Sequence, residues 1–381
     1  MKSVTAKLSA VLTLGLLLML SPLAAPAGAI GVSSVSAIVI DVQTKTVLFE
    51  QNAHAFRAVA STTKLMTALI GAEDCLPEEE IVVPPDAVKV EGSALGLRGG
   101  DFIHMQDLLT GMLLASGNDA ANTVALHVSG SLSDFAVRMN KRAALLGMKN
   151  TRFVTPSGLD EGENGSTAYD MALLGAEVVK NKQLREICTS KTAPIYFGNP
   201  KRQVVVRNHN RLLWRYKDTV GLKTGFTRRA GRCLVSAAQR GGVTLVAVTL
   251  GGGNDWQDHE TMLEYGFSQL KSAEIPPLTL PVLPVAGGVE SSVPLTVTLP
   301  GPLTVRRSEK GEFTAKILLP RFVVAPVLKG EEVGALQIYL AGELLQETPI
   351  RTSEEIDVRG KYRTGGRFTR WITRLTGALL K

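Results

Sequence analysis

The feature that most limits how this chain can fold is where its strand-like sequence lies. "VSAIVIDVQTKTVLFEQN" places two apolar runs about a turn from Asp41 to Thr46, the pattern of a hairpin. Strand patterns then vanish and return as "VGLKTGF", "GRCLVSAAQ" and "VTLVAVTLGG". The last two are joined at Arg240-Gly241-Gly242, which reads as a tight hairpin turn. Between these ends the periodicity is helical. It runs from Ser61 onward, through "MQDLLTGMLLASGNDAANTVALHV", through "LSDFAVRMNKRAALLGM" with Gly147 as its stop, and through "TAYDMALLGAEVVKN". "DHETMLEYGFSQL" closes the region as a further helix. Strands at both ends of a helical segment predict an α+β or α/β sandwich in which the terminal strands share one sheet with helices packed on it.

Residues 1–29 stand outside that fold. Lys2 and Lys7 give a basic start, Leu8 to Leu20 is almost wholly apolar, and Ala27-Gly28-Ala29 offers a small-residue cleavage site. This reads as a secretory signal peptide. The alternative, a retained membrane anchor, needs an apolar run of roughly 18–20 residues, longer than this one. Residues 30–272 form the sheet-and-helix domain. After Ser272 the composition changes: "EIPPLTLPVLPVAGG" reads as a linker or edge segment, and "SVPLTVTLPGPLTVRR" and "FTAKILLPRFVVAPVLKG" read as short strands with frequent turns. Residues 273–358 are therefore expected to be a small all-β domain.

The last segment, residues 359–381, carries seven Lys or Arg and no acid. At about 100° per residue, Phe368, Trp371, Ile372, Leu375 and Leu379 share one helical face, and Arg367, Arg370, Arg374 and Lys381 share the adjoining one. Such a helix is too short and too charged to span a bilayer but suits an anionic membrane surface; a frayed basic tail is the plainer alternative. Basic sequence on an exported chain points to anionic lipid or cell wall and not to nucleic acid. Three cysteines, Cys75, Cys188 and Cys233, make no disulfide framework. Cys233, inside "CLVSAA", reads as a buried small hydrophobe, and whether Cys75 and Cys188 pair is open. The five histidines are scattered without metal-ligand spacing, so neither metal nor cofactor is expected.

The candidate chemistry begins at "AVASTTKLMTALI". Ser61 and Lys64 are three apart on a helix, hence neighbours on one face. Ser-x-x-Lys recurs by chance, so partner groups decide its meaning. Two are present: Ser116-Gly117-Asn118, where an apolar helix breaks at a glycine, and Lys223-Thr224-Gly225, on what reads as an edge strand. A serine hydroxyl needs a base to become a nucleophile. Lys64 can be that base if burial and a second cation, Lys223, lower its pKa. Ser116 can pass a proton toward a leaving amine, and Asn118 can bind a substrate amide or hold Lys64. The strand at Thr224 and Gly225 can pair with an extended peptide. The N–H groups of Ser61 and Phe226 can form an oxyanion hole, and Lys223 with Thr224 can bind a terminal carboxylate.

STTK, SGN and KTG together are the motif set of penicillin-binding proteins and class A β-lactamases. With "LLLASGNDAANTVA", "TPSGLD", "STAYDMALL" and "GLKTGFTRRAGRCLVSAA", the chain resembles the low-molecular-weight D-alanyl-D-alanine carboxypeptidases, particularly the forms of endospore-forming bacteria. The resemblance is dense over residues 35–270 and looser beyond. It implies a penicillin-binding, β-lactamase-like domain with an antiparallel sheet and a helical subdomain, followed by the β domain and a membrane-anchoring helix on the outer face of the cytoplasmic membrane. It implies Ser61 as acyl-ester nucleophile, Lys64 as general base, Ser116 as proton relay and Lys223 as substrate-binding cation. It further implies removal of the terminal D-alanine from peptidoglycan stem pentapeptides, and acylation by penicillin. "GSALGLRGGD", residues 92–101, departs from the expected pattern in its glycine content.

A β-lactamase is the nearest rival, but the class A arrangement needs a Glu some 35 residues after the Ser-x-Asn element. Here that region reads "MKNTRFVTPSGL", with Asp160, Glu161 and Glu163 only later, in a loop. A wall-binding module with a decayed site is disfavoured by the intact side chains. A transpeptidase on the same fold stays open, because water and an amine compete for one acyl-enzyme.

Overall fold

The computed structural model describes residues 30–159, 162–275, 278–299 and 302–360; the expected leader and most of the basic C-terminal segment, its helical stripes included, lie outside them. Strands β1 (Ser36–Asp41) and β2 (Val47–Gln51) form the expected antiparallel hairpin. Its turn closes because Asp41 Oδ2 accepts from the backbone N and the Oγ1 of Thr44, each at 2.7 Å. Far along the chain, β7 (Thr219–Thr227), β8 (Gly231–Arg240) and β9 (Val243–Gly252) form an antiparallel meander. β9 then pairs antiparallel with β1, giving one five-stranded sheet in the order β2-β1-β9-β8-β7. The β7 strand that carries Lys223, Thr224 and Gly225 is its edge.

Alternation along the central strands shows why both faces must be covered. Ile38, Ile40, Val246 and Val248 enter a large core on one face, and Ala37, Val39, Leu245 and Ala247 enter a second core on the other. The large core is shared with helices α1 (Lys64–Asp74), α2 (Met105–Leu114), α3 (Asn118–Ser129), α4 (Leu132–Leu145), α5 (Ala168–Lys180) and α6 (Lys182–Thr189). A single turn, α7 (Leu212–Arg215), leads into β7, and α8 (Asp255–Gln269) covers the second face through Met262, Leu263 and Phe267.

The helical run from residue 105 to 128 breaks at the glycine as the sequence suggests: two helices flank Ala115-Ser116-Gly117, with Ser116 in the left-handed region at φ 64°. Residues 182–207, given no structure above, hold α6 and the hairpin of β5 (Thr192–Phe197) and β6 (Arg202–Arg207). That hairpin joins β3 (Glu80–Val82) and β4 (Phe102–His104) in a second sheet, β3-β4-β5-β6. Pro194 inside β5 and the three-residue length of β3 and β4 hide these strands from a local pattern; pairing over distance makes them.

The expected boundary after residue 272 coincides with β10 (Leu270–Ala273), which pairs antiparallel with β14 (Leu303–Arg306). Leu270 also belongs to the core under α8, and Gln43 Oε1, in the first hairpin turn, accepts from Thr304 N at 2.7 Å. The β-rich region is thus tied to the sheet domain at two places. Within it, β11 (Leu283–Ala286) is the middle strand between β12 (Ser292–Val293) and β16 (Val323–Val324), not an edge. A four-stranded sheet, β13-β18-β17-β15, completes it: β13 (Leu295–Val297), β15 (Phe313–Leu318), β17 (Glu332–Leu340) and β18 (Glu343–Thr352). No helix among the described residues is long and apolar enough to cross a membrane. Cys75 and Cys188 are not joined in a disulfide, and Cys233 is buried as expected.

One buried group makes this fold acid-sensitive. His259, fully buried on α8, lies 2.6 Å from Ser236 Oγ on β8 and 2.9 Å from Thr249 Oγ1 on β9. Burial lowers its pKa to about 3. An unfolded histidine near 6.5 takes up a proton below that pH while the folded one stays neutral, so stability is lost as pH falls from 6.5 toward 3. The term amounts to about 3 kcal/mol by pH 4. Thermal unfolding should show His259→Gln to be less stable than the parent at pH 7 but to lose less between pH 6.5 and 4; parallel losses in both proteins would refute the assignment.

Candidate active site

The chain enters the site through a 3-10 turn, Ala60–Thr63, that runs directly into α1 at Lys64. Three residues per turn bring positions i and i+3 into line, so Ser61 and Lys64 stand side by side. Lys64 is 0% exposed. Its Nζ donates to Ser61 Oγ at 3.0 Å, to Asn118 Oδ1 at 2.7 Å and to the Ser157 carbonyl at 2.7 Å. Burial pushes the Lys64 pKa well below the ordinary lysine value, the charge of Lys223 pushes it further, and Asp119 pulls the other way.

Each partner of Lys64 is itself held. Asn118, the first residue of α3, donates from Nδ2 to Glu91 O at 2.6 Å and from its backbone N to Ser93 O at 2.8 Å. Asp119 accepts from Leu95 N at 2.9 Å, Gly96 N at 3.0 Å and Leu97 N at 3.1 Å. The glycine-containing segment 92–101 is therefore the loop that braces Asn118 from behind. Ser157 belongs to the "TPSGLD" loop, where Thr67 Oγ1 on α1 donates to Pro156 O at 2.6 Å. A Cβ on Gly158, at φ 80°, would lie 1.9 Å from Ala60 O, so only glycine lets this loop close on the Ser61 turn.

The opposite wall is β7. Lys223 is 1% exposed; its Nζ donates to Thr224 O at 2.9 Å, and burial lowers its pKa to about 8 with Cys188 offsetting this in part. A Cβ on Gly225 would lie 3.0 Å from Ser61 N and 3.1 Å from Thr62 N, so the strand runs directly alongside the serine's backbone. Thr224 is half-buried and Phe226 exposed. Among the described residues no strand pairs with the outer side of β7. Ser116, buried in the strained turn between α2 and α3, sits two residues from Asn118.

Every residue singled out in the sequence thus lies on one of three segments that meet at Lys64 or Ser61. Sequence reasoning missed the Ser157 carbonyl, the Asp119 brace and Gly158. "TPSGLD" and "SGND" contain all of them, but a backbone acceptor has no side-chain signature. Of the acids weighed above for a β-lactamase, Glu163 is exposed and paired with Arg152 at 3.0 Å.

A half-buried serine on a fully buried lysine, beside an open strand edge, defines a serine acyl-transfer enzyme of the penicillin-binding type. Residues 24–254 match the D-alanyl-D-alanine carboxypeptidase family (peptidase S11), and residues 281–358 match the C-terminal domain of penicillin-binding protein 5. The chain belongs to the D-alanyl-D-alanine carboxypeptidase family, a family of serine carboxypeptidases. It is 32% identical over 339 residues to the D-alanyl-D-alanine carboxypeptidase DacF of Bacillus subtilis, covering 85% of this chain and 86% of that one. Penicillin binding protein 5 of Haemophilus influenzae superposes with a TM-score of 0.65 at 25% identity, covering 87% of this chain and 99% of that one. A DD-transpeptidase, Streptomyces K15, gives 0.60 at 28% identity over 63% of this chain and 99% of its own.

The two lysines should fail differently. Lys64→Ala should lower penicillin acylation by about 10²- to 10⁴-fold at every pH, the size of a general-base effect. In the parent, kcat/KM for a peptide with a free C-terminal carboxylate should fall as pH rises through about 8, where Lys223 loses its proton. Lys223→Ala should raise KM and abolish that alkaline limb; a limb that persisted in the variant would remove Lys223 from carboxylate binding.

Proposed function

We propose that this enzyme removes the terminal D-alanine from peptidoglycan stem pentapeptides through a Ser61 acyl-enzyme. The carrying observation is that Lys64 Nζ, fully buried, lies 3.0 Å from Ser61 Oγ while two carbonyl oxygens occupy its other directions. A neutral amine has two N–H groups, and these satisfy Asn118 Oδ1 and Ser157 O; its lone pair is then left facing the serine hydroxyl.

The reaction follows from that arrangement. An extended peptide pairs with the open edge of β7, its terminal carboxylate on Lys223 and Thr224. Lys64 takes the Ser61 proton, and Oγ attacks the carbonyl carbon of the penultimate D-alanine. The N–H groups of Ser61 and Phe226 receive the oxyanion, and the Gly225 approach supports this because it brings that strand against Ser61 N. Ser116 relays the proton to the departing amine, the C–N bond breaks, and water hydrolyses the ester. A β-lactam enters the same sequence and stays as the acyl adduct. The DD-transpeptidase likeness supports an acyl-enzyme able to meet an amine as well as water.

In the cell the leader exports the chain, and the basic helix of residues 359–381 holds it on anionic lipid at the outer face of the cytoplasmic membrane, the β-rich region of residues 273–358 acting as a stalk. The seven basic residues and the Phe368, Trp371, Ile372, Leu375 and Leu379 face support this.

Mass spectrometry of stem pentapeptides incubated with the enzyme should show loss of one D-alanine, and Ser61→Ala should abolish both this and penicilloyl labelling. A stable penicilloyl adduct on Ser61→Ala would overturn the nucleophile assignment. A chain ending at Arg359 should keep full turnover on a small D-Ala-D-Ala peptide but no longer sediment with anionic vesicles at low salt. Equal sedimentation of the full and shortened chains would sink the anchor.

A further inference from the structure

The ends of α1 and α3 remote from Ser61 meet in a cluster that the acyl-transfer site does not use. Cys75 is the first residue beyond α1, Glu79 lies in the turn that follows, and His127 is in the last turn of α3. The Cys75 thiol, a Glu79 carboxylate oxygen and a His127 ring nitrogen all lie within 4.8 Å of one another. Glu79 Oε1 is 2.8 Å from His127 Nε2, and its Oε2 accepts from Leu76 N at 3.3 Å. The turn itself is tied to α2: Met105 N donates to Glu79 O at 3.0 Å and Gln106 N to Pro77 O at 2.9 Å. Cys75 and Glu79 are half-buried and His127 is exposed, so an ion reaches the cluster from solvent.

We propose that Cys75, Glu79 and His127 form a binding site for a borderline-soft divalent cation, Zn²⁺, with water as the fourth ligand. The donor set carries the inference. Thiolate, imidazole and carboxylate together are zinc ligands, whereas calcium requires six or more oxygens and magnesium retains its waters. Zn–S of about 2.3 Å and Zn–N of about 2.0 Å separate tetrahedral ligand atoms by roughly 3.5 Å. The cluster closes to that spacing by side-chain rotation of little more than an ångström.

The surroundings favour a cation. Both helices end here, and a helix C-terminus carries partial negative charge. Burial, then the charges of Glu79 and Asp74, push the Cys75 thiol up to about 11, while Arg138, which opposes them, is paired with Asp74 at 2.6 Å. On binding, the S–H proton is released to solvent and a Zn–S bond replaces it. His127 ligates through Nε2 with its proton on Nδ1, and the Glu79 oxygen turns from His127 to the metal. The ion then joins the far end of the helix that begins at Lys64 to that of the helix that begins at Asn118.

The test uses the full chain, reduced and freed of metal, titrated with Zn²⁺ and with Co²⁺ as a spectroscopic probe. One ion per chain, a cobalt–thiolate charge-transfer band, weaker binding at lower pH and a rise in Tm with zinc are expected. Cys75→Ser should abolish the band, and both it and His127→Gln should weaken zinc binding about tenfold or more. Far-ultraviolet circular dichroism of each variant matching the parent verifies the fold. Zinc uptake undiminished in Cys75→Ser, a cobalt spectrum without thiolate character, or equal competition by Ca²⁺ would overturn the site.

Discussion

The structure depends on keeping one lysine amine out of water. Removing a cation from solvent costs several kcal/mol even after relaxation. Lys64 faces Lys223, a second buried cation, with no carboxylate in direct contact among the described residues. Asp119 lies close enough to act through its charge, yet both its oxygens are occupied by backbone N–H groups of residues 95–97. The amine is met by carbonyl oxygens, which satisfy it without restoring full basicity. Burial that would be a defect in an ordinary core here holds the lysine's pKa well below its ordinary value, which is what the proposed general-base role requires.

The fold is arranged so that this burial is rigid. Each acceptor around Nζ comes from a different segment, and each segment is secured elsewhere: Asn118 by Glu91 and Ser93, Ser157 by the Gly158 turn against Ala60 and by Thr67. The edge strand is placed by the pairing of β9 with β1, which joins the two ends of the domain into one sheet. Had the meander paired elsewhere, β7 would not lie beside Ser61. Long-range sheet closure therefore sets the open edge beside Ser61, while local turns set the Ser61–Lys64 pair.

Much of this was legible in the sequence because it has local signatures. The hairpin at Asp41, the break at Gly117, the Gly241-Gly242 turn and the edge character of "VGLKTGF" follow from turn chemistry and period. The shared sheet followed from the distribution of strands. What escaped was non-local or carried by backbone. β3 pairs with β4 across a long loop, and β4 meets β5 at Ile103 opposite Phe197, far along the chain. Ser157 contributes a carbonyl, which any residue has. Cys75, Glu79 and His127 also escaped, because their ligand-like grouping arises from helix packing and not from spacing in the chain.

The α1–α3 pair connects these levels. α1 is 11 residues long, roughly 16 Å, and it packs along α3. The first residues of the two helices, Lys64 and Asn118, make the 2.7 Å contact that orients the amine. Packed helices shift as rigid rods against one another, so any tilt of one against the other is read at both ends. At the end away from Ser61, the His127–Glu79 hydrogen bond joins the turn after α1 to α3. Whatever tightens that junction restricts the same tilt that would lengthen the Lys64–Asn118 contact. The position of Asn118 is thus set by three things: the 91–97 loop behind it, the buried seam between the helices, and the junction at their far ends. Catalytic geometry in this fold is a property of the helix pair as a unit, which is why residues remote from Ser61 are under physical constraint from it.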